Sequence, residues 1–216
     1  MTEKKTNIPM DPEKVSRIMA TSLTEFAHRG YRGAKTEDIA QKAVVSKGII
    51  FRYYKNKAHL YMATLKFATD RIESVADYSV WHDAQDLDAM IVNATKYKIQ
   101  LQLQYPEEFK LLLDAYAEAS DAPSALKHEI AEFYNNQTSA NMANMIDPIL
   151  NRLQFRNNVS RKTIQGLMLG VLDQVGAETK TLMQKKPDAD LTDFDDIIEN
   201  VRGYIDVLEH GFLKKE

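Results

Sequence analysis

The chain has 216 residues, 44% hydrophobic and 27% charged, which suits one large domain or a small one joined to a larger one. It has no cysteine, which excludes a disulfide framework, thiolate metal sites and a thiol redox sensor, and its strongest apolar run, Ile164 to Leu172, is far short of the roughly 20 residues a membrane span needs. The net charge of −3 is unevenly spread: residues 1 to 60 hold twelve Lys or Arg against six Asp or Glu, the rest sixteen against twenty-five, as for a basic nucleic-acid-binding head on an acidic body.

Residues 1 to 12 are polar, carry Pro9 and Pro12, and read as a loose tail whose Lys4 and Lys5 add to the basic end. No signal-peptide pattern opens the chain, so a cytoplasmic protein outside the membrane is expected. From Glu13 to Arg29, the residues Val15, Ile18, Met19, Ser22, Leu23 and Phe26 recur at helical spacing, and Gly30 is a natural left-handed stop.

The stretch Thr36 to Lys57, TEDIAQKAVVSKGIIFRYYKNK, then packs two short amphipathic helices into a helix-turn-helix. Thr36 is placed to cap the first, with Glu37 and Asp38 at the positive end of its dipole and Ile39, Ala40 and Ala43 as its apolar stripe. Val44 to Ser46 form the turn, and Ser46 caps a second helix, Lys47 to Tyr54, whose Ile50 and Tyr54 face inward. Gly48, Ile49, Arg52 and Tyr53 are left on the outer side, a face suited to a DNA groove, with Lys55 and Lys57 flanking it. A plain helical hairpin explains the apolar positions but gives no reason for the four cations between Lys47 and Lys57.

SKGIIFRYYKNKAHL resembles the recognition helix and next helix start of the tetracycline-repressor (TetR) family of transcriptional repressors, and TEDIAQKA resembles that family's second helix. The resemblance covers about residues 13 to 65. It implies that Thr36, Lys47, Gly48, Ile49, Phe51, Arg52, Tyr53, Lys55 and Lys57 form the DNA-binding surface. Two positions depart from the family pattern. Val44 stands where the family usually has Gly, so a locally different turn is expected, because a β-branched residue at positive φ is an outlier. Phe51 stands where the family usually has Tyr, removing a phosphate-reaching hydroxyl that Tyr53 is placed to replace.

Beyond the motif the chain reads as helical throughout. A fourth helix runs from Lys57 to about Tyr78 and links head to body, as the resemblance also implies. Ser79 to Asp86 reads as a loop holding the only Trp. Further helices are expected at Leu87 to Gln104, from Pro106, at Ala125 to Ile146 ending near a break at Asp147 and Pro148, at Arg161 to Lys185, and at Thr192 to Lys214. In the last two, Gly166 and Gly170 permit close helix approach, and Ile198, Val201 and Ile205 lie on an apolar stripe. These five are the expected core of a homodimer built as a four-helix bundle. Flexible and aromatic residues collect in the body: Tyr78, Trp81, Tyr97, Phe109, Tyr116, Phe133, Met142 and Met168. Together they suit a pocket for a mostly apolar small-molecule effector, while each one singly is ordinary core material. The lack of a basic cluster there favours a neutral or cationic ligand.

Catalytic chemistry has no signature: there is no Gly-rich phosphate loop, nucleophile elbow or zinc-protease pair. His128 with Glu132, and His82 with Asp83 and Asp86, are close in sequence, but two ligands without a third make a poor metal site, and a solvated face explains them. No catalytic residue, metal or cofactor is therefore expected. The expectation is an all-α protein of about nine helices: a helix-turn-helix domain at 1–57 and an effector-binding, dimerising domain at 58–216, together a ligand-responsive repressor that binds a near-palindromic double-stranded DNA operator as a homodimer. The competing reading is a helical small-molecule-binding protein or enzyme whose helix-turn-helix is incidental.

Overall fold

The computed structural model describes residues 9–84, 86–118, 123–141, 146–155, 157–186 and 189–211, and among them every regular element is helical. The helices are α1 (Pro12–Gly33), α2 (Thr36–Lys42), α3 (Lys47–Tyr54), α4 (Lys57–Val75), α5 (Ser79–His82), α6 (Leu87–Gln104), α7 (Pro106–Glu118), α8 (Ser124–Asn141), α9 (Asp147–Leu150), α10 (Arg161–Lys185) and α11 (Asp195–His210). No helix among the described residues is long and apolar enough to cross a membrane.

Two compact units divide the chain, one of residues 1–75 and 105–134, the other of 76–104 and 135–216. In the first, α1 starts on Asp11, whose carboxylate accepts from the backbone N–H groups of Glu13 and Lys14, with Pro12 in the first turn, where its missing N–H costs nothing. The expected stripe is buried through Ile18, Met19, Ser22, Leu23 and Phe26. Gly30 breaks the helix at φ 64°, and helical turns resume to Gly33 before Ala34. Around α1 pack α2, α4 and α7, with Phe26 and Tyr61 edge to face at 4.9 Å. Leu111 and Ala115 of α7 and Leu126 and Ile130 of α8 belong to the same core. The helix-turn-helix is thus seated in a unit that draws in α4 and α7.

In the second unit α11 lies on α6 and beside α10, burying Met90, Ile91 and Ile99 with Phe194, Ile197, Ile198, Val201 and Ile205. A 3-10 turn at Leu191–Phe194 leads into α11, closed by a capping box between Asp190 and Asp193.

Four boundaries differ from the sequence expectation. The fourth helix stops at Val75 rather than near Tyr78. Ser79–His82 is a helical turn, not a loop, started by the Asp77 carboxylate accepting from Ser79 N–H at 2.9 Å. Asp147 and Pro148 begin a helix instead of ending one, since proline is compatible with a first turn. The last helix starts at Asp195 and is closed at Gly211, φ 82°; Phe212 to Lys214 lie outside the described residues.

Candidate nucleic-acid interface

The end of α2 sets the aim of α3. Val45 N–H donates to Ala40 O at 3.0 Å and Val44 N–H to Gln41 O at 3.2 Å, the paired bonds of a Schellman cap. That cap requires a left-handed residue at position 44, and Val44 adopts it at φ 55°. The expected change of turn is therefore absent: the backbone keeps the conformation glycine favours and the valine carries the strain, about 1–3 kcal/mol for such a residue. Its side chain is 77% exposed, so burial does not offset that cost. Arg17, from the middle of α1's first half, donates from Nε to Ala43 O at 3.0 Å and satisfies a carbonyl that the cap leaves open.

Ser46 Oγ accepts from Ile49 N–H at 3.3 Å and starts α3 as expected. Ile50 and Tyr54 face the core. On the other side Lys47, Gly48, Phe51, Arg52 and Lys55 are exposed, while Ile49 and Tyr53 are half-buried against the core. Tyr53 is turned toward α1: its hydroxyl accepts from Asp11 N–H at 3.1 Å, leaving its own proton to donate. Of the expected outer face, Gly48 and Arg52 are open and Ile49 and Tyr53 are partly walled in, because α1's N terminus covers that flank. Phe51 takes the place of Tyr53 on the surface.

The cations differ in how free they are. Lys47 pairs with Glu37 of α2 and lies 5.4 Å from the Phe51 ring centroid; that hydrogen bond holds the Glu37 carboxyl down at about 2. Lys57 donates to Arg32 O at 3.3 Å and sits 5.0 Å from the Tyr31 ring centroid, and burial lowers its ammonium pKa. The side chains of Arg52 and Lys55 are exposed and have no hydrogen-bond or ion-pair partner among the described residues. Thr36 is not the cap. Lys35 holds that position without a side-chain bond, and Thr36 is buried, its hydroxyl donating to Glu37 at 3.1 Å.

The arrangement offers a short helix with an open N-terminal half, a glycine, a guanidinium and ammonium groups, the chemistry that recognises phosphates and base edges. A family model described as bacterial regulatory proteins, tetR family, matches residues 18–64. Over those residues the helix-turn-helix is of the TetR family.

The HTH-type transcriptional repressor SCO4008 of Streptomyces coelicolor is 30% identical to this chain over 131 residues, 60% of this chain and 64% of that protein. The chain spans less than two thirds of the length of the curated relatives it matches. Among solved structures, the fatty acid degradation regulator FadR from Bacillus halodurans aligns at TM-score 0.62 and 18% identity, over 92% of this chain and 100% of that one. The transcriptional regulator FadR from Bacillus subtilis, in complex with stearoyl-CoA, aligns at TM-score 0.58 and 14% identity, over 92% and 100%. At those identities the likeness speaks for the TetR fold.

In the rest of the chain the expected residues separate. Ile198, Val201 and Ile205 are buried within the one chain, Val201 at 0% exposure, because the apolar stripe of α11 lies on α6, which leaves them little surface to offer a second copy. Gly166 and Gly170 are exposed on α10, and a Cβ at either meets nothing within 4 Å. Phe109, Tyr116 and Phe133 belong to the first unit, and Tyr78, Tyr97 and Met168 to the second. Met168 is packed into the core of its unit and Tyr116 is 60% exposed. Met142 and the side chain of Trp81 lie outside the described residues. A groove of about 380 Å³ between α10 and α11 is lined by Gln174, Glu178, Thr181 and Asn200 among others, and by none of the eight expected ligand residues. His128 and Glu132 approach to 3.6 Å on the exposed side of α8; among the described residues no group of three or more His, Asp and Glu is placed to hold a metal. The His82 side chain lies outside the described residues.

Sequence reasoning missed Arg17, Asp11 and Glu25. Glu25 is buried and pairs with Lys42 across the α1–α2 contact. Each acts on a group 17 to 42 residues away, which local pattern does not reveal.

Proposed function

We propose that this chain is a ligand-responsive transcriptional regulator, acting as a repressor, with its DNA-binding domain at 1–57 and its effector-binding and dimerising domain at 58–216. As a homodimer it binds a near-palindromic operator and is released by a small, mostly apolar effector. The observation that carries this reading is the open face of α3: Gly48 and Arg52 stand exposed on a helix whose position is fixed at both ends, by Ser46 and by the Asp11–Tyr53 bond. Arg52 reads a base and Lys55 holds a phosphate, the division expected of a recognition helix lying in the major groove.

The test is to capture genomic duplex fragments with the purified protein, starting with the DNA upstream of its own coding sequence, and read the enriched site. Arg52→Ala should then cost about 1–3 kcal/mol on that site and relax one position. Equal losses on scrambled DNA would make Arg52 a phosphate contact instead.

The effector half of the proposal rests on the second unit. Gln102 is buried there at 1% exposure, with Oε1 lacking a hydrogen-bond partner among the described residues. Such a group suits the single polar contact of an otherwise apolar ligand. A screen of fatty acids, acyl-CoA thioesters and neutral or cationic apolar compounds by thermal shift, followed by titration with and without operator, decides it. A true effector loses affinity for the protein on operator by the same factor that it weakens DNA binding; hits indifferent to DNA would remove the switch.

A further inference from the structure

The turn between α2 and α3 holds a β-branched, exposed residue in the left-handed region, Val44 at φ 55°. A conformation of this kind persists only where the surroundings over-determine it. Two backbone bonds belong to the cap itself, from Val44 and Val45. The third restraint comes from outside the motif. Arg17 reaches from α1 and gives its Nε–H to Ala43 O, the carbonyl immediately before Val44. Rotating the 43–44 peptide toward a relaxed valine conformation would swing that carbonyl off the guanidinium, so the bond opposes the relaxation directly. The positive charge also sits at the negative end of the α2 dipole, which strengthens the hold. Ser46 begins α3 three residues after Ala43, so any rotation in the turn re-aims the whole recognition helix.

We propose that Arg17 is a positioning residue for base reading: it locks the strained Val44 turn and so fixes the direction of α3. This rests on the reading of α3 as a DNA-recognition helix. It also predicts a specific rescue. If Arg17 works by restraining a residue that would relax, then a residue with no need to relax makes Arg17 dispensable, and Val44→Gly is that residue.

The experiment compares the full-length wild type with Arg17→Ala, Arg17→Lys, Val44→Gly and the double variant Arg17→Ala with Val44→Gly. Each is measured on the operator enriched by the wild type and on a scrambled duplex, across a salt series, with melting temperatures alongside. Arg17→Ala should lose about tenfold in the operator-to-scrambled ratio while its salt slope is unchanged. The double variant should recover most of that ratio, and Arg17→Lys, which keeps a donor, should lose less than Arg17→Ala. Val44→Gly should raise the melting temperature less in the Arg17→Ala background than alone, because a turn freed of Arg17 has already relieved part of the valine strain. Should Arg17→Ala fail to fold, the double variant compared with Val44→Gly alone carries the same test, equal ratios supporting the lock. A loss equal on both duplexes, with the slope lower by about 1, makes Arg17 a phosphate contact and overturns the proposal. So does an Arg17→Ala ratio that Val44→Gly leaves unrescued, or one that never falls. A wild type that enriches no duplex at all overturns the reading of α3, and the proposal with it.

Discussion

Glu37 is an unusual neighbour for a DNA-reading helix, because its carboxylate sits on α2 and holds Lys47 of α3. Both side chains are largely open to water, where such a pair adds little to stability. Its effect should fall on binding. Glu37→Gln releases Lys47 for phosphate, so affinity for any duplex should rise several-fold and the salt slope by about 1, measured by fluorescence anisotropy. The pair is not a switch near neutral pH. With its folded pKa near 2 against an ordinary value of 4.5, Glu37 contributes above about 4.5 and loses that contribution as pH falls through about 2, so between pH 5 and 8 DNA affinity should show no step that Glu37→Gln removes. Val44 gives the second residue-scale prediction. Relief of left-handed strain exceeds the added chain entropy of glycine, so Val44→Gly should stabilise the protein by about 1 kcal/mol, read as a rise of about 2–4 °C in melting temperature for a domain of this size.

At the scale of elements, α7 is joined to the helix-turn-helix unit by charge as well as by packing. Glu108 of α7 is buried, and Arg71 of α4 reaches it at 3.1 Å. Glu107 meets Thr24 at 3.0 Å and His28 at 3.1 Å on α1. Removing Arg71 leaves a buried carboxylate without its partner. Since the guanidinium side is open to solvent, the loss is below that of a fully buried pair, about 2 kcal/mol for Arg71→Ala. Urea denaturation should show it, and Arg71→Met with Glu108→Met should be less destabilised than Arg71→Ala alone, because the unpaired charge is gone. The same packing makes Lys57 more than a candidate phosphate contact. Its bond to Arg32 O and its place over Tyr31 tie the start of α4 to the end of α1, so a DNA-binding loss in Lys57→Ala has to be read beside its melting temperature.

At the scale of the molecule, the proposed dimer now rests on α10. Leu167 is exposed between Gly166 and Gly170, and neither glycine has a neighbour that a Cβ would strike. Gly170→Leu therefore leaves the single chain undisturbed and puts a bulky side chain into the proposed interface. In sedimentation at micromolar concentration the wild type should run as a dimer and Gly170→Leu as a monomer, with an unchanged far-ultraviolet circular dichroism spectrum. The monomer should lose operator affinity, since two heads are needed to meet half-sites about 34–36 Å apart. A Gly170→Leu protein that stays dimeric moves the interface off this face of α10.

What the sequence determined by itself is whatever local periodicity and capping chemistry control. The stripe of α1, the Ser46 cap and the inward pair Ile50 and Tyr54 all stand where spacing put them, because each depends on residues three or four apart on one helix. Tertiary structure decided which partner an apolar stripe meets. Ile198, Val201 and Ile205 form a clean stripe, and spacing cannot distinguish a second copy from α6; the burial of Val201 within one chain does. It also decided the turn. Valine's own preference argued for a different backbone, yet the Schellman bonds and the Arg17 contact hold the left-handed form. That outcome turned on a side chain 26 residues from the carbonyl it binds, a distance at which only the folded chain brings the two groups together.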